Sequence, residues 1–451
     1  LNILLVYPPY ELELSAPPLG LAYLASVLER NGYSPVIKDF RVEIGFEDIE
    51  STLKEYDIVG ISFMTPMVNA AEIISKAAKR AGCTVIVGGP HATALPEEML
   101  EKLCADFVVL GEGELTFLQL IQALEKDKSV DDIKGLVFKE NDNVIKTGET
   151  EFIQDIDSIP FPARHLLQLK KYSITYPGFN QRKPITSMIT SRGCPAKCIF
   201  CSSHILFGRK PRLASPDYVV NEMKSIINDY GINQINISDD TFTLNKQRVI
   251  SICEKIISEK LDVIWACSTR ANTLSTEMLE HMKAAGCTRI GLGIESASPA
   301  ILKNIKKGVT IEQVEKAIEM INVTGLQIVG YFMVGNLGES NETVSATADF
   351  VGNHKDITYG FSYATPFPGT EFFNLAREKN YVRTKNWAEY VITNGPVART
   401  EELSLNQLEQ AHNKLIKSSR DSLAKRIIKI MRHPRLLAEG LIRRFKHFKG
   451  E

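Results

Sequence analysis

At 451 residues the chain exceeds what one ordinary hydrophobic core organises, which implies two domains and an appendage. Lys plus Arg number 53 against 54 for Asp plus Glu, so the overall charge argues for neither a nucleic-acid coat nor an acidic partner. No run of eighteen apolar residues occurs, and the first residues read as a strand and not as a basic leader, so the expectation is a cytoplasmic protein.

Residues 1–140 alternate short apolar runs with amphipathic ones. Strands are predicted at 3–6, 34–39, 58–63, 84–87 and 107–110, and helices at 19–29 and 68–80. That rhythm predicts an α/β domain with a doubly wound, Rossmann-like parallel sheet, whose ligands bind at the carboxyl ends of the strands. Turn residues gather at those ends: Pro8-Pro9, Met64-Thr65-Pro66, Gly88-Gly89-Pro90-His91-Ala92-Thr93 and Gly111-Glu112-Gly113-Glu114. Glycines there let backbone amides approach a large flat or anionic ligand, although tight turns in a parallel sheet account for any single loop.

Residues 141–183 show little periodicity, and 158–164 reads as a proline-broken linker. Over 184–375 the strand-helix rhythm returns, with strands at 185–191, 232–238, 262–268, 288–294, 326–333 and 358–364. Six such units predict a partial (βα)6 barrel with its chemistry at the carboxyl ends. Residues 376–451 are read as a helical C-terminal region, helical and polar over 386–424. Beyond Lys425, basic residues alternate with Ile, Leu and Phe, a pattern that suits an anionic membrane surface or packing on the barrel.

Of eight cysteines, Cys194, Cys198 and Cys201 form a Cys-x-x-x-Cys-x-x-Cys loop directly after the first barrel strand; the rest read as reduced core thiols. Three soft thiolates can hold one face of a four-iron four-sulfur cluster and leave one iron open to a chelating ligand. His204, three residues on, keeps a zinc site of three cysteines and one histidine as the alternative.

The loop resembles that of the radical S-adenosylmethionine enzymes residue for residue. Pro17-Pro18-Leu19-Gly20 and the two glycine loops are similar to the cobalamin-binding domain that precedes many of those barrels. The resemblance implies three cofactors: a 4Fe-4S cluster on Cys194, Cys198 and Cys201, S-adenosylmethionine, and cobalamin. Around S-adenosylmethionine it implies Phe200 near the adenine, Asp240 and then Asp239 for the amino group, and Ser268 with Arg270 toward the carboxylate. Glu295 is implied at the ribose or amino group, and Gly330 and Pro366 along the nucleoside. For cobalamin it implies Pro18, Leu19, Gly20, Thr65, Gly88, Gly89, His91, Ala92, Gly111, Glu112 and Gly113. In one respect the chain departs from the methionine-synthase type of domain: Gly89 stands where its Asp-x-His-x-x-Gly signature has the aspartate. His91 is therefore assigned a lining or structural role and no bond to cobalt, and some relatives keep the domain without the cofactor.

The implied activity is cleavage of S-adenosylmethionine to a 5'-deoxyadenosyl radical, followed by cobalamin-dependent methylation of an unactivated carbon in a hydrophobic or lipid-like substrate. Cyclisation, ring contraction or carbon-carbon coupling is the alternative within the same superfamily, and a non-catalytic corrinoid carrier the alternative outside it. The implied partners are a small-molecule or lipid substrate, an external electron donor and the inner membrane face through the basic tail, with no nucleic acid.

Overall fold

The computed structural model describes residues 1–10, 16–43, 49–172 and 184–432, with side chains described through 420. Its first sheet runs in the order β2-β1-β3-β4-β5-β6-β7. The strands are β1 (Ile3–Tyr7), β2 (Val36–Asp39), β3 (Ile58–Ser62), β4 (Thr84–Gly88), β5 (Phe107–Val109), β6 (Leu136–Glu140) and β7 (Asn143–Lys146). The first five pair in parallel; β6 and β7 add an antiparallel hairpin at the edge. Ile3, Leu4, Leu5 and Val6 are all buried because helices cover both faces, which is why β1 reads as an unbroken apolar run. The order 2-1-3 places a topological switch point between β1 and β3, where open sheets of this kind form a ligand crevice. The hairpin extends the sheet past residue 140, inside the segment expected to be linker; β7 is four residues long and mostly exposed, with only Val144 and Ile145 apolar, too short a run to read as a strand.

The second sheet, β15-β14-β13-β12-β11-β8, is parallel throughout and forms the predicted six-stranded partial barrel. It comprises β8 (Ile185–Met188), β11 (Gln234–Ile237), β12 (Ile264–Thr269), β13 (Cys287–Glu295), β14 (Gln327–Val334) and β15 (Ile357–Tyr363). Between β8 and β11 the chain forms a short antiparallel pair, β9 (Ser191–Arg192) and β10 (Arg212–Leu213), which brackets the cysteine loop. The first barrel strand is thus shorter than the predicted 185–191. Asp239 accepts hydrogen bonds from the Thr190 amide, the Thr190 hydroxyl and the Ser191 hydroxyl, each at 2.6 Å, and these draw the chain out of the sheet.

Apart from the short helix Ser203–Phe207 after the cysteine loop, the helices after the barrel strands start on side-chain caps. Ser215, Asn245, Ser275, Ser298, Thr310, Ser340 and Thr370 each accept a bond from an amide in the first turn. In the N-terminal domain the helices Leu19–Arg30, Pro90–Ala94 and Gly113–Glu125 begin after Pro18, Gly89 and Glu112 without any such cap.

Residues 386–404 depart from the helical expectation. A single turn at Trp387–Glu389 and a bridge between Val382 and Ala398 replace the helix, because Trp387 docks on the N-terminal domain. Its indole donates to Glu98 at 2.7 Å and its ring meets His91 edge-on at 4.9 Å. The helix Leu405–Arg432 then covers the β15 edge, setting Leu408, Ala411 and Leu415 against Val334, Val344 and Ala348. Among the described residues no helix is long and apolar enough to cross a membrane. The side chains of the expected basic tail lie outside the described residues.

Candidate active site

The cysteine loop leaves β9 at Gly193, whose φ is +84; a Cβ there would lie 2.5 Å from the Lys210 carbonyl oxygen, so only glycine makes the turn. From there the loop is clamped by its backbone. The Ile199 amide donates to the Ile305 carbonyl at 3.1 Å, and the Phe372 amide to the Ile199 carbonyl at 3.0 Å. Cys198 is buried, while Cys194 and Cys201 are half-buried. Arg270 Nη1 donates to Cys198 Sγ at 3.4 Å, and Cys194 Sγ lies 3.8 Å from Thr241 Oγ1.

Burial pushes the Cys201 thiol up to about 11; the Ser203 amide pulls against this, and Asp240, Cys198 and Cys194 add to it. Three thiols close enough to feel one another form a donor set that gives up protons to a thiophilic metal centre, which fits the cluster implied by their spacing. His204 is turned elsewhere: its Nδ1 bonds the Cys201 carbonyl at 2.9 Å. Among the described residues no three His, Cys, Asp or Glu side chains converge as the ligands of a single ion would.

Asp240 stays exposed beside the loop, bonded to the Ser203 hydroxyl. Ser268 and Gly291 face each other inside the barrel, with the Tyr331 ring close to Gly291. Glu295 ends β13 with φ +69, a sparsely populated conformation for a non-glycine residue, and pairs with buried Lys307 at 2.7 Å. Phe200 is half-buried against the cluster that holds Ile199 and Phe372, and Pro366 is buried in the turn after β15. Two expected positions are corrected. Asp239 is buried, with its oxygens bonded by the Thr190 amide and the Thr190 and Ser191 hydroxyls, so it anchors the chain and does not stand open to a ligand ammonium. A Cβ on Gly330 would meet Ile294 and Ile357, so that side of β14 faces the helical layer and not the barrel interior.

A cavity of about 420 Å³ spans the two domains. On one side stand the carboxyl ends of β1, β3, β4 and β5, with Pro18, Leu19, Gly20, Gly88, Gly89, Gly111, Glu112 and Gly113. On the other stand Ser187, Ile189 and Ser238 of the barrel interior, with Leu206 and Phe207. The uncapped helix starts at Leu19 and Gly113 lie on this wall, with apolar Ile86, Val109 and Phe117 deeper in, a cradle suited to a large ligand with polar edges. These residues fit a corrinoid.

Thr65, His91 and Ala92 do not line this cavity, which corrects their assignment. Ala92 belongs to the core on the opposite face of the sheet. His91 Nδ1 lies 3.1 Å from Thr65 Oγ1 beneath Trp387, and burial holds its ring neutral, down to about 3. Its role is structural.

The sequence reading missed Arg41, which lines the cavity with its guanidinium on Asp39 at 2.6 Å and over the Tyr7 ring at 4.4 Å. Its position just after β2 was the available signal. It also missed a buried ion network that joins the domains. Arg192 Nη2 donates to Glu114 at 2.6 Å, and Arg212 donates to Glu112 at 2.6 Å and to the Ile153 carbonyl at 2.7 Å. Glu112 also accepts from the Ile153 amide at 2.9 Å. Although Glu112 lines the cavity, its carboxylate is therefore committed to protein partners.

Residues 188–351 match the model of the radical SAM superfamily, and residues 11–121 match that of the B12 binding domain. The chain is 39% identical over 422 residues to an uncharacterized methyltransferase of Pyrococcus horikoshii, covering 91% of this chain and 90% of that one. The chain belongs to the B12-binding radical SAM enzymes. As such it uses a 4Fe-4S cluster, S-adenosylmethionine and cobalamin. The anaerobic magnesium-protoporphyrin IX monomethyl ester cyclase of Cereibacter sphaeroides is 29% identical over 427 residues, 90% of this chain and 68% of that one. In fold, this radical SAM enzyme is similar to the methyltransferase TsrM from Kitasatospora setae, solved with cobalamin and a 4Fe-4S cluster. The TM-score is 0.71 at 19% identity, covering 92% of this chain and 84% of the other.

Proposed function

We propose that this radical SAM enzyme methylates an unactivated carbon of a hydrophobic or lipid-like substrate. The observation that carries the proposal is the shared cavity. The uncapped rim of the N-terminal sheet and the interior of the barrel wall a single space, so a methyl donor seated on the first and a radical formed in the second meet one substrate. In this reading Cys194, Cys198 and Cys201 hold the cluster, and Phe200, Asp240, Ser268, Arg270, Glu295 and Pro366 surround S-adenosylmethionine. Pro18, Leu19, Gly20, Gly88, Gly89, Gly111 and Gly113 cradle cobalamin.

When bound, these groups supply the one-electron cleavage of a carbon-sulfur bond, the abstraction of a hydrogen atom and the methyl to be transferred. The chain supplies orientation and exclusion of water. Asp240 offers a carboxylate to an ammonium, and Arg270 offers a guanidinium to a carboxylate. Phe117, Ile86 and Val109 keep the inner cavity dry. The apolar wall and a relative named for an esterified porphyrin support a hydrophobic substrate. The basic, apolar sequence after Lys425 supports a peripheral membrane contact.

A second reading, radical ring closure, is favoured by the cyclase likeness over 90% of this chain. Anaerobic reconstitution with iron, sulfide and hydroxocobalamin, followed by turnover with methyl-deuterated S-adenosylmethionine, separates the two. The expected result is a single cluster, bound corrinoid, 5'-deoxyadenosine and a deuterated product, with Cys198→Ala losing iron and nucleoside together. An unlabelled product that has lost two hydrogens would establish the cyclase instead. Zinc in place of iron would sink both readings.

A further inference from the structure

The cations around the cysteine loop are divided between two faces. On the inner face Arg192 and Arg212 are buried and neutralised by Glu114 and Glu112. On the outer face Pro195, Ala196 and Lys197 wall an open hollow of about 660 Å³ against the segment Leu302 to Gly308, and among the described residues no acidic side chain lines it. Lys197, Lys303 and Lys306 stand exposed on its rim, and exposed Arg209 bonds the Ala196 carbonyl. Lys306 pairs with Glu371 at 2.6 Å, whereas Lys197 and Lys303 have no carboxylate partner among the described residues. Arg270 closes the floor, 3.4 Å from Cys198 Sγ and bonded to the Lys307 carbonyl. One guanidinium thus separates the hollow from a cluster thiol.

We propose that this hollow docks an acidic, low-potential one-electron carrier protein, which delivers the electron consumed at the cluster. One electron leaves the carrier's reduced flavin and enters the oxidised cluster, and no atom is transferred. Exposed like charges beside a short path to the cluster steer an acidic partner and hold it at electron-transfer range. A small anion fits less well, because Lys197, Lys303 and Lys306 stand in solvent around an open hollow and do not converge on one point. The proposal rests on the cluster assignment above and is independent of methyl transfer.

The test uses the full reconstituted chain and an acidic bacterial flavodoxin as probe, with affinity measured at low and high salt. Lys197→Glu with Lys303→Glu is expected to raise Kd about tenfold or more at low salt and to flatten its salt dependence. Lys128→Glu, exposed on the other domain, is expected to bind as the parent does. Reduction of the cluster by the methyl viologen radical cation, a small donor of opposite charge, is expected to proceed in the double variant no slower than in the parent. Unchanged flavodoxin affinity in the double variant, or a parent that does not bind flavodoxin at low salt, would overturn the docking proposal. Iron and sulfide content of the same samples keeps the two failures apart: a chain without a cluster overturns the cysteine assignment instead.

Discussion

The two rims of strand ends in this molecule are built on opposite plans. Around the barrel the chain satisfies its own helix starts: Ser215, Asn245 and Ser298 cap the helices they precede, and Thr310 completes a reciprocal capping box with Gln313. Around the N-terminal sheet Pro18, Gly89 and Glu112 leave the first amides of their helices without a side-chain partner, and these starts turn to the cavity. The difference teaches where each half is complete. The barrel rim is finished largely by its own side chains, whereas the sheet rim leaves its helix starts open to the corrinoid proposed for it.

Glu112 is where the two rims are joined, and removing it should give the largest effect. Glu112→Ala leaves Arg212 buried without its carboxylate, an expected loss of about 3–5 kcal/mol. Denaturant unfolding followed at each domain would check it, and a loss below about 1 kcal/mol would mean that the network relaxes around the gap.

Glu339, on the barrel rim, is the opposite case: a buried carboxyl with no cation partner among the described residues. It accepts from the amides of Gly335 and Asn336, and burial pushes it from 4.5 up to about 7 despite them. Between those values the unfolded chain has lost the proton that the folded chain keeps. Stability should therefore fall as pH rises from about 4.5 to 7 and level off above, by roughly 3 kcal/mol in all. Glu339→Gln should flatten that part of the profile; an unchanged slope would show that another group carries it.

Gly89→Ala tests the sheet rim directly. With φ +92 and ψ −177 the position is open to glycine alone, and a Cβ would lie 2.9 Å from the Phe63 carbonyl oxygen. The expected cost is about 1–3 kcal/mol, with weaker corrinoid retention on gel filtration. Retention equal to the parent's would place the corrinoid away from this loop.

How legible these rims were in the sequence depended on how local their causes are. The parallel strands were readable because burial on both faces forces continuous apolar runs, as in Ile3 to Val6, and the cysteine loop because its spacing lies within eight residues. The pairing of Arg192 with Glu114 and of Arg212 with Glu112 was not readable, since partners 78 and 100 residues apart leave no local mark. Asp239 looked like a site acid because it sits at a strand end; only the fold brings Thr190 and Ser191 onto its oxygens. His91 was misplaced for a related reason. Its loop borders the cavity at Gly89, but the helix Pro90–Ala94 carries the ring to the far face under Trp387, almost 300 residues away in sequence.

The smallest effect is expected where the barrel rim caps itself. Ser215 Oγ accepts from the Tyr218 amide at 3.1 Å, so Ser215→Ala should cost about 1 kcal/mol. The comparison is sharpened by measuring that cost twice, on the apo chain and on the chain loaded with cobalamin. A ligand that binds only the folded state adds the same free energy to parent and variant, so the cap's cost should be the same in both. For Gly89→Ala, whose site touches the cavity, the cost should grow on loading, because weaker binding subtracts from the stabilisation. Were the cap's cost also to grow with cobalamin, the barrel rim would have to contribute to the corrinoid site, and the division of labour between the two rims would fail.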